Sequence, residues 1–289
     1  MTAALRRFDP VPFILSLPTA LTLGIFLLVP LAATAILSLQ AFSLYTGIES
    51  VFNLDNYREI FSDDYFGEIF LRTARIAAFT TLLCVLIGAP EAVILMRMKA
   101  PWRGIFLLVA LGPLLISVVS RTLGWALLFG STGVINDALI ALGIVDEPVR
   151  FMYTEYGVVI ALAHVLLPFM IISVMTTLQR LNPMVESASY SLGASAFTTF
   201  RRVILPQVLP GIFAGSIIVF AMAASAFATP QIIGGRRLKV VATLVYDEYL
   251  FSLNWPLGAA LALLLFAIII VVAVGFNRLA EARFKRMYG

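Results

Sequence analysis

Few side chains in this 289-residue sequence could take part in chemistry. Its one cysteine, Cys84, excludes an internal disulfide and a cysteine metal cluster. Its one histidine, His164, excludes a His-Glu-x-x-His zinc site, and no Gly-x4-Gly-Lys-Ser/Thr loop is present to bind a nucleotide phosphate. We therefore expect no catalytic residue, no bound cofactor and no metal in this chain. Such a chain is better suited to moving a solute than to transforming one.

Two charged residues stand inside long apolar runs, where an ionised group is costly and is therefore a candidate functional group. The Glu91 carboxylate could contact a cationic solute as it leaves a pathway, or could pair with Arg97 or a neighbouring helix. Arg121 would repel a cation, so we expect a structural or gating role for it in the substrate pathway, with direct contact to the solute as the alternative. A carboxylate or carbonyl groups of a partner subunit would then bind its guanidinium.

The composition identifies the solvent of this chain as a lipid bilayer. Apolar residues make up 61% of the sequence and charged residues only 12%, with a mean hydropathy of +0.99. Soluble globular domains have about half apolar and about a quarter charged residues. A disordered chain is excluded by the same values. A nucleic-acid-binding protein is not expected, because the net charge of +4 is small and spread along the chain.

Six apolar stretches are long enough to cross a bilayer as α-helices, which takes about 20 residues each. They cover residues 12–38, 70–96, 104–130, 156–178, 208–229 and 257–277. The sequence therefore predicts an all-α integral membrane protein with six transmembrane helices in a single domain, residues 1–289. The first apolar run is too long for a cleaved signal peptide, so we expect it to remain as a span.

The distribution of Lys and Arg predicts that both termini are cytoplasmic. With that orientation the inner segments hold twelve basic residues and the outer segments seven, while Arg121 lies within a span. The inner residues are Arg6, Arg7, Arg97, Lys99, Arg103, Arg180, Arg201, Arg202, Arg278, Arg283, Lys285 and Arg286. Trp125, Trp255 and Tyr249 are then expected near the outer interface, where aromatic residues are common.

Residues 182–206 form the only sizeable inner loop of this topology, and its local signals predict two short helices. Asn182 can cap a helix that begins at Pro183, because proline at the first helical position loses no hydrogen bond. Gly193 can end that helix in the left-handed conformation, and Ser195 can cap a second turn. Pro206 and Pro210 are then expected to break the chain and start the fifth span.

Most side chains of the first short helix are small, which gives it a low-relief face. Such a face could fit closely into a groove of another protein. The same segment could instead be an amphipathic connector that lies on lipid headgroups. Local chemistry alone leaves both interpretations open.

Several residues of this loop resemble a known sequence motif. Glu186-Ser187-Ala188, Gly193 and Val203-Ile204-Leu205-Pro206 are similar to the E-A-A-x3-G-x9-I-x-L-P loop of ATP-binding-cassette importer permeases. Gly193 and Leu205-Pro206 have the family's spacing, with Val203 in the place of isoleucine. Glu186 lies seven residues before Gly193 rather than six, so Ser187 occupies the family's glutamate position and Ser189 that of the second alanine.

Motifs outside the loop are similar to the spermidine/putrescine permease branch of that family. They are Asn56-Tyr57, Gly88-Ala89-Pro90-Glu91-Ala92, Arg121-Thr122-Leu123-Gly124-Trp125, Gly133-Val134-Ile135-Asn136, Leu167-Pro168-Phe169, Leu192-Gly193-Ala194-Ser195, Pro230-Gln231-Ile232-Ile233-Gly234-Gly235 and Trp255-Pro256-Leu257-Gly258-Ala259-Ala260. The resemblance implies a type I importer bundle in a bacterial inner membrane that imports a polyamine. It also implies a second, similar permease, a periplasmic solute-binding protein, and two ATPase subunits that hydrolyse ATP-Mg and dock on residues 182–206.

Other functions remain as alternatives. Related permeases import other small solutes, including opines and amino-acid derivatives. A transporter or channel that works without ATP would need no docking loop at 182–206. An intramembrane serine protease would require a nucleophile near His164, and Gly130-Ser131-Thr132-Gly133 lies too far along the third span from it.

Overall fold

The computed structural model describes residues 11–288; Arg6 and Arg7, counted above as inner residues, lie outside this range. Within it the chain is predominantly helical. The helices are α1 Val11–Ser38, α2 Asp55–Ser62, α3 Asp64–Arg97, α4 Trp102–Leu111, α5 Val118–Leu128, α6 Val134–Ala141, α7 Glu155–Leu178, α8 Pro183–Ser191, α9 Ala196–Thr199, α10 Leu205–Ala224, α11 Val241–Leu250 and α12 Trp255–Tyr288. One antiparallel hairpin, β1 Gln40–Ser43 and β2 Gly47–Phe52, follows α1 and adds a feature that the sequence did not predict.

The centre of the bundle is formed by α3, α7 and α10, which pack against one another along most of their lengths. Glycine allows the closest of these approaches. The Ser173 hydroxyl of α7 donates a hydrogen bond to the Gly211 carbonyl of α10 at 2.8 Å. A Cβ atom at Gly211 would lie 2.5 Å from Oγ1 of Thr177. The backbones of α7 and α10 are therefore nearly in contact.

Five continuous helical stretches of the described chain are long and apolar enough to cross a membrane. They are Leu15–Ser38, Asp64–Arg97, Glu155–Leu178, Ala196–Ala224 and Trp255–Arg278. These stretches cover the first, second, fourth, fifth and sixth spans expected from the sequence. The α1 span has almost no contact with the bundle except along α12, so most of its apolar surface is exposed.

The third expected span, 104–130, is not one straight helix. Its two halves, Trp102–Leu115 and Val118–Leu128, are bent by 101° relative to each other. At the bend, Gly112–Leu115 tightens into a 3₁₀ turn, and Ile116 and Ser117 adopt extended backbone angles. Pro113 explains the change, because its ring removes a backbone donor and blocks the regular α-helical hydrogen bond at this point.

The helical stretch that contains the fifth span begins at Ala196. A π-helical turn, Phe200–Ile204, joins α9 to α10, so the expectation that Pro206 and Pro210 break the chain here was wrong. Pro206 lies at the beginning of α10, directly after the wide π turn, where its missing N–H is tolerated. The helix ends at Ala224, and a second π turn, Pro230–Gly234, follows.

The two ends of the bundle differ. The loop-rich end contains the beginnings of α3 and α7 together with the hairpin, α6 and α11. The α8 end contains the last turns of α3 and α7 together with α8 and α9.

Candidate functional site

The helix α8 is fixed at both ends by its own sequence, as expected. The Met184 N–H donates to Oδ1 of Asn182 at 2.9 Å, with Pro183 as the first helical residue. Gly193 has φ = +81°, and its N–H donates to the Tyr190 carbonyl at 2.9 Å. The Thr198 N–H donates to Oγ of Ser195 at 3.3 Å and begins α9. These three local predictions are confirmed.

One side of α8 faces the rest of the protein through polar contacts. The hydroxyls of Ser189 and the fully buried Thr199 are hydrogen-bonded at 2.9 Å. A guanidinium nitrogen of Arg97, at the end of α3, lies 2.9 Å from the Glu186 carboxylate. The Tyr190 hydroxyl donates to the same carboxylate oxygen at 3.4 Å. Beneath these contacts lies a cavity of about 230 Å³, so α8 is tethered over open space rather than packed on a core.

The opposite side of the helix is exposed and forms a continuous surface. We define the α8 face as Met184, Ser187, Ala188, Ser191 and Leu192, all of which are exposed. Their spacing of three, four, seven and eight residues from the first places them on one side of a helix. Met184 is 73% exposed and Leu192 is 88% exposed, with small side chains between them. The α8 face thus has two large apolar ends and a flat centre.

The remaining residues of the expected docking motif do not lie on the α8 face. Glu186 is on the side that contacts Arg97. Val203 belongs to the π turn and lines the cavity beneath α8, while Leu205 and Pro206 are half-buried in the first turn of α10. Val203, Leu205 and Pro206 therefore connect the loop to the fifth span, and Glu186 connects it to the second.

Glu91 lies on α3, half-buried, and makes no hydrogen bond or ion pair with any residue from 11 to 288. The alternative that Glu91 pairs with Arg97 was wrong, because Arg97 pairs with Glu186 instead. A long-range partner outcompeted a neighbour on the same helix. Six residues along a helix place Glu91 and Arg97 on different sides of it.

Arg121 lies at the bend of the third span. Its guanidinium donates to the carbonyl of Pro113, so the carbonyl partner comes from the same chain. Nearby, the Trp125 indole N–H donates to Nδ1 of His164 at 3.0 Å. His164 is therefore a hydrogen-bonded bundle residue, as expected, and no serine of the described chain is hydrogen-bonded to it. Trp125 thus lies beside α7, and its expected interfacial position stays a prediction.

Trp255 lies at the first turn of α12, 46% exposed, and its indole N–H donates to the carbonyl of Tyr249 at 3.1 Å. Both residues belong to the loop-rich end.

An ion-pair network at the loop-rich end was not anticipated. Arg72 and Arg75 of α3 both contact the Glu155 carboxylate at the start of α7, and Arg72 also pairs with Glu68. Arg72 donates to the carbonyl of Lys239 at 3.2 Å as well. The spacing of Glu68 and Arg72 by four residues was the one local signal for this network. It joins α3, α7 and the 238–240 segment.

The segment around Lys239 is tied further to α11. The Lys239 ammonium lies 2.8 Å from the Asp247 carboxylate. This hydrogen bond raises the pKa of Lys239 above its usual value. Burial raises the pKa of the next residue, the Glu248 carboxyl, above its usual value.

Comparison with known families identifies the bundle. Residues 11–286 match the family described as "Binding-protein-dependent transport system inner membrane component". The chain belongs to this family. It is an importer permease subunit of the ATP-binding-cassette class, with the type I permease fold.

The permease is similar to curated transport proteins. The spermidine/putrescine transport system permease protein PotB of Haemophilus influenzae is 31% identical over 233 residues, 80% of this chain and 81% of that protein. A Salmonella paratyphi A protein, PhnU, with a provisional assignment to 2-aminoethylphosphonate transport, is 28% identical over 273 residues, 90% of this chain and 91% of its own. A bacterial transporter that imports alginate contains a chain with the same fold. The TM-score is 0.77 and the identity 17%, and the match covers 94% of this chain and 95% of that one.

Proposed function

We propose that this chain is one of two permease subunits of an ATP-driven importer in a bacterial inner membrane. The α8 face binds an ATPase subunit, and a periplasmic binding protein delivers the solute at the loop-rich end. The ATPase subunits bind and hydrolyse ATP-Mg. The observation that carries the proposal is the α8 face itself: an exposed, low-relief apolar surface on a helix that is capped at both ends but hardly packed.

The connections of α8 indicate how movement of the ATPase would reach the membrane. Through Arg97 and Glu186, α8 is tied to the end of α3. Through α9 and the π turn it continues into α10. Displacement of α8 therefore acts on two of the three central helices at once. A transporter needs two packed arrangements of similar free energy, which nucleotide and loaded binding protein would favour in turn.

The proposed solute is a polyamine such as spermidine or putrescine. The relationship to the spermidine/putrescine permease of H. influenzae supports this choice. An amine that also carries an acid group, such as an amino-acid derivative, is the second candidate. It is favoured by Arg121, whose guanidinium lines a cavity at the bend of the third span and would repel a polyamine.

The decisive experiment replaces Ala188, at the centre of the α8 face, with tryptophan. The complex of this chain, its second permease and the ATPase subunits is purified through a tag on this chain. We expect Ala188→Trp to insert normally into the membrane but to lose the ATPase subunits, because the large ring prevents the flat centre from entering a groove. ATP-dependent uptake of putrescine into proteoliposomes that contain the binding protein should fall to background.

The matched control is Ala141→Trp, which adds the same ring at an exposed helical position at the loop-rich end. It should retain the ATPase subunits. Normal ATPase recovery with Ala188→Trp, or putrescine uptake by the permeases without any ATPase subunit, would contradict the proposal.

A further inference from the structure

The bend of the third span contains a cavity of about 350 Å³. Its wall includes Gly112, Pro113, Ile116, Ser120, Arg121 and His164. These residues come from the 3₁₀ turn, from the start of α5 and from the middle of α7. Three polar side chains, those of Ser120, Arg121 and His164, thus line one space between two half-helices.

The two nitrogen-containing side chains that line this cavity carry donors that no described residue uses. A guanidinium has five N–H donors and no acceptor. One of those of Arg121 is used by the Pro113 carbonyl, while Nε is buried and has no hydrogen-bond partner. Because Nδ1 of His164 accepts from Trp125, the proton of the neutral ring is on Nε2. That second donor has no partner among residues 11–288.

The position of the cavity makes an unpaired cation there expensive. The two half-helices are long and apolar enough only together, as one broken span or a re-entrant loop, and in either arrangement the bend lies between two membrane-embedded half-helices. Charged residues inside a span almost always pair with another group or face a water-filled cavity. Non-helical backbone at this depth is tolerated only where protein covers it or where it lines such a cavity. An acceptor with negative charge would satisfy Arg121 and His164 together.

We propose that this cavity binds a carboxylate, or an oxyanion of similar size, with Arg121 as its charged donor and His164 and Ser120 as neutral donors. Arginine favours such groups because its parallel N–H donors match two oxygens. The same group could belong to a transported solute or to an Asp or Glu side chain in a membrane helix of the second permease. These two sources rest on the proposed importer function; the anion site itself does not.

The local charge can be measured with a cysteine at Ser120, which is exposed in the isolated chain. The native Cys84 is fully buried and gives little background. In the purified full-length chain, Ser120→Cys is modified by negatively and by positively charged thiosulfonate reagents. We expect the ratio of negative to positive rates to be about tenfold higher than for Ser131→Cys, and to decrease at high salt.

Charge variants connect this ratio to Arg121. Adding Arg121→Gln should lower the ratio about tenfold, whereas Arg121→Lys should retain it. Arg150→Gln, which removes a basic residue from the loop between α6 and α7, should leave it unchanged. If Arg121→Gln does not fold, the ratios of modification rates for Ser120→Cys and Ser131→Cys still test whether the cavity is positively charged. Equal ratios at those two positions, or a ratio unaffected by Arg121→Gln, would overturn the proposal.

The assembled complex distinguishes the two sources. Loss of modification by both reagents on assembly identifies the second permease as the source of the carboxylate. If position 120 stays reactive, 4-aminobutyrate and putrescine serve as probes of equal chain length that differ by one acid group. Protection by 4-aminobutyrate alone identifies a solute as the source. If the cysteine at position 120 stays fully reactive in the complex and neither probe protects it, the anion site is refuted. Recovery of the ATPase subunits in that same complex would show that the proposed importer function still stands.

Discussion

At the scale of single residues, two buried asparagines organise the backbone of the loop-rich end. Asn136 is fully buried; its amide donates to the carbonyls of Gly130 and Val149, and its oxygen accepts from the Val149 N–H. Asn56 donates to the carbonyls of Ser38 and Gln40 in the same manner. Both asparagines belong to motifs that resemble the polyamine branch. In both motifs the asparagine forms hydrogen bonds to buried backbone groups, which gives it a structural role rather than contact with a solute.

We expect Asn136→Ala to destabilise the protein by about 2–4 kcal/mol, because it leaves buried backbone groups without partners. Thermal unfolding of the purified protein in detergent measures this as a lower Tm. Asp137→Ala, an exposed change at the next residue of α6, is the control and should shift the Tm little. Equal shifts for the two variants would contradict the role given to Asn136.

Residue-level prediction from the sequence succeeded where the interaction was local. Asn182, Gly193 and Ser195 cap helices through groups two or three residues away, so their roles could be read directly. The pairing of Arg97 with Glu186 and the place of Trp125 beside His164 depend on which helices meet. Residue spacing in the sequence does not show which helices are in contact.

At the scale of elements, proline had different effects in helices of similar composition. Pro90 and Pro168 lie inside α3 and α7, which remain continuous. Pro113 lies where the third span bends by 101°. α3 and α7 are packed along their lengths in the centre of the bundle, and this packing can keep a helix continuous despite a missing hydrogen bond. Whether a proline bends a helix therefore depends on the packing around it. The sequence does not show that packing, so it predicted six spans but not the bend in the third.

Close packing of α7 against α10 gives a prediction for glycine. Alanine normally stabilises a helix interior by about 1 kcal/mol relative to glycine. At Gly275 of α12 nothing lies within 4 Å of the added Cβ, so Gly275→Ala should raise the Tm or leave it unchanged. At Gly211 the Cβ would lie 2.9 Å from the Ser173 carbonyl, so Gly211→Ala should lower the Tm. Unfolding scans of both variants test this, and equal or higher stability of Gly211→Ala would exclude tight α7–α10 contact.

At the scale of the whole molecule, long-range ion pairs mark the two ends of the bundle. Arg72, Arg75 and Glu155 define the loop-rich end, and Arg97 with Glu186 defines the α8 end. The basic residues of the two ends also differ in their pairing. At the loop-rich end Arg58, Arg72, Arg75 and Lys239 pair with carboxylates, and Arg150, Arg236 and Arg237 do not; at the α8 end Arg97 alone does so within the described residues.

This arrangement makes the orientation testable without reference to the bent third span. Because α7 is one continuous crossing, residues 142–150 and 193–195 must lie on opposite sides of the membrane. The excess of Lys and Arg at the α8 end predicts that this end is cytoplasmic. A phosphatase reporter that is active only in the periplasm should therefore be active when fused after Asp146 and inactive when fused after Gly193 or Gly289. The reverse pattern would place the α8 face in the periplasm, where there is no ATP, and would exclude it as the docking surface of an ATPase. Equal activity of the fusions after residues 146 and 193 would contradict α7 as a membrane span.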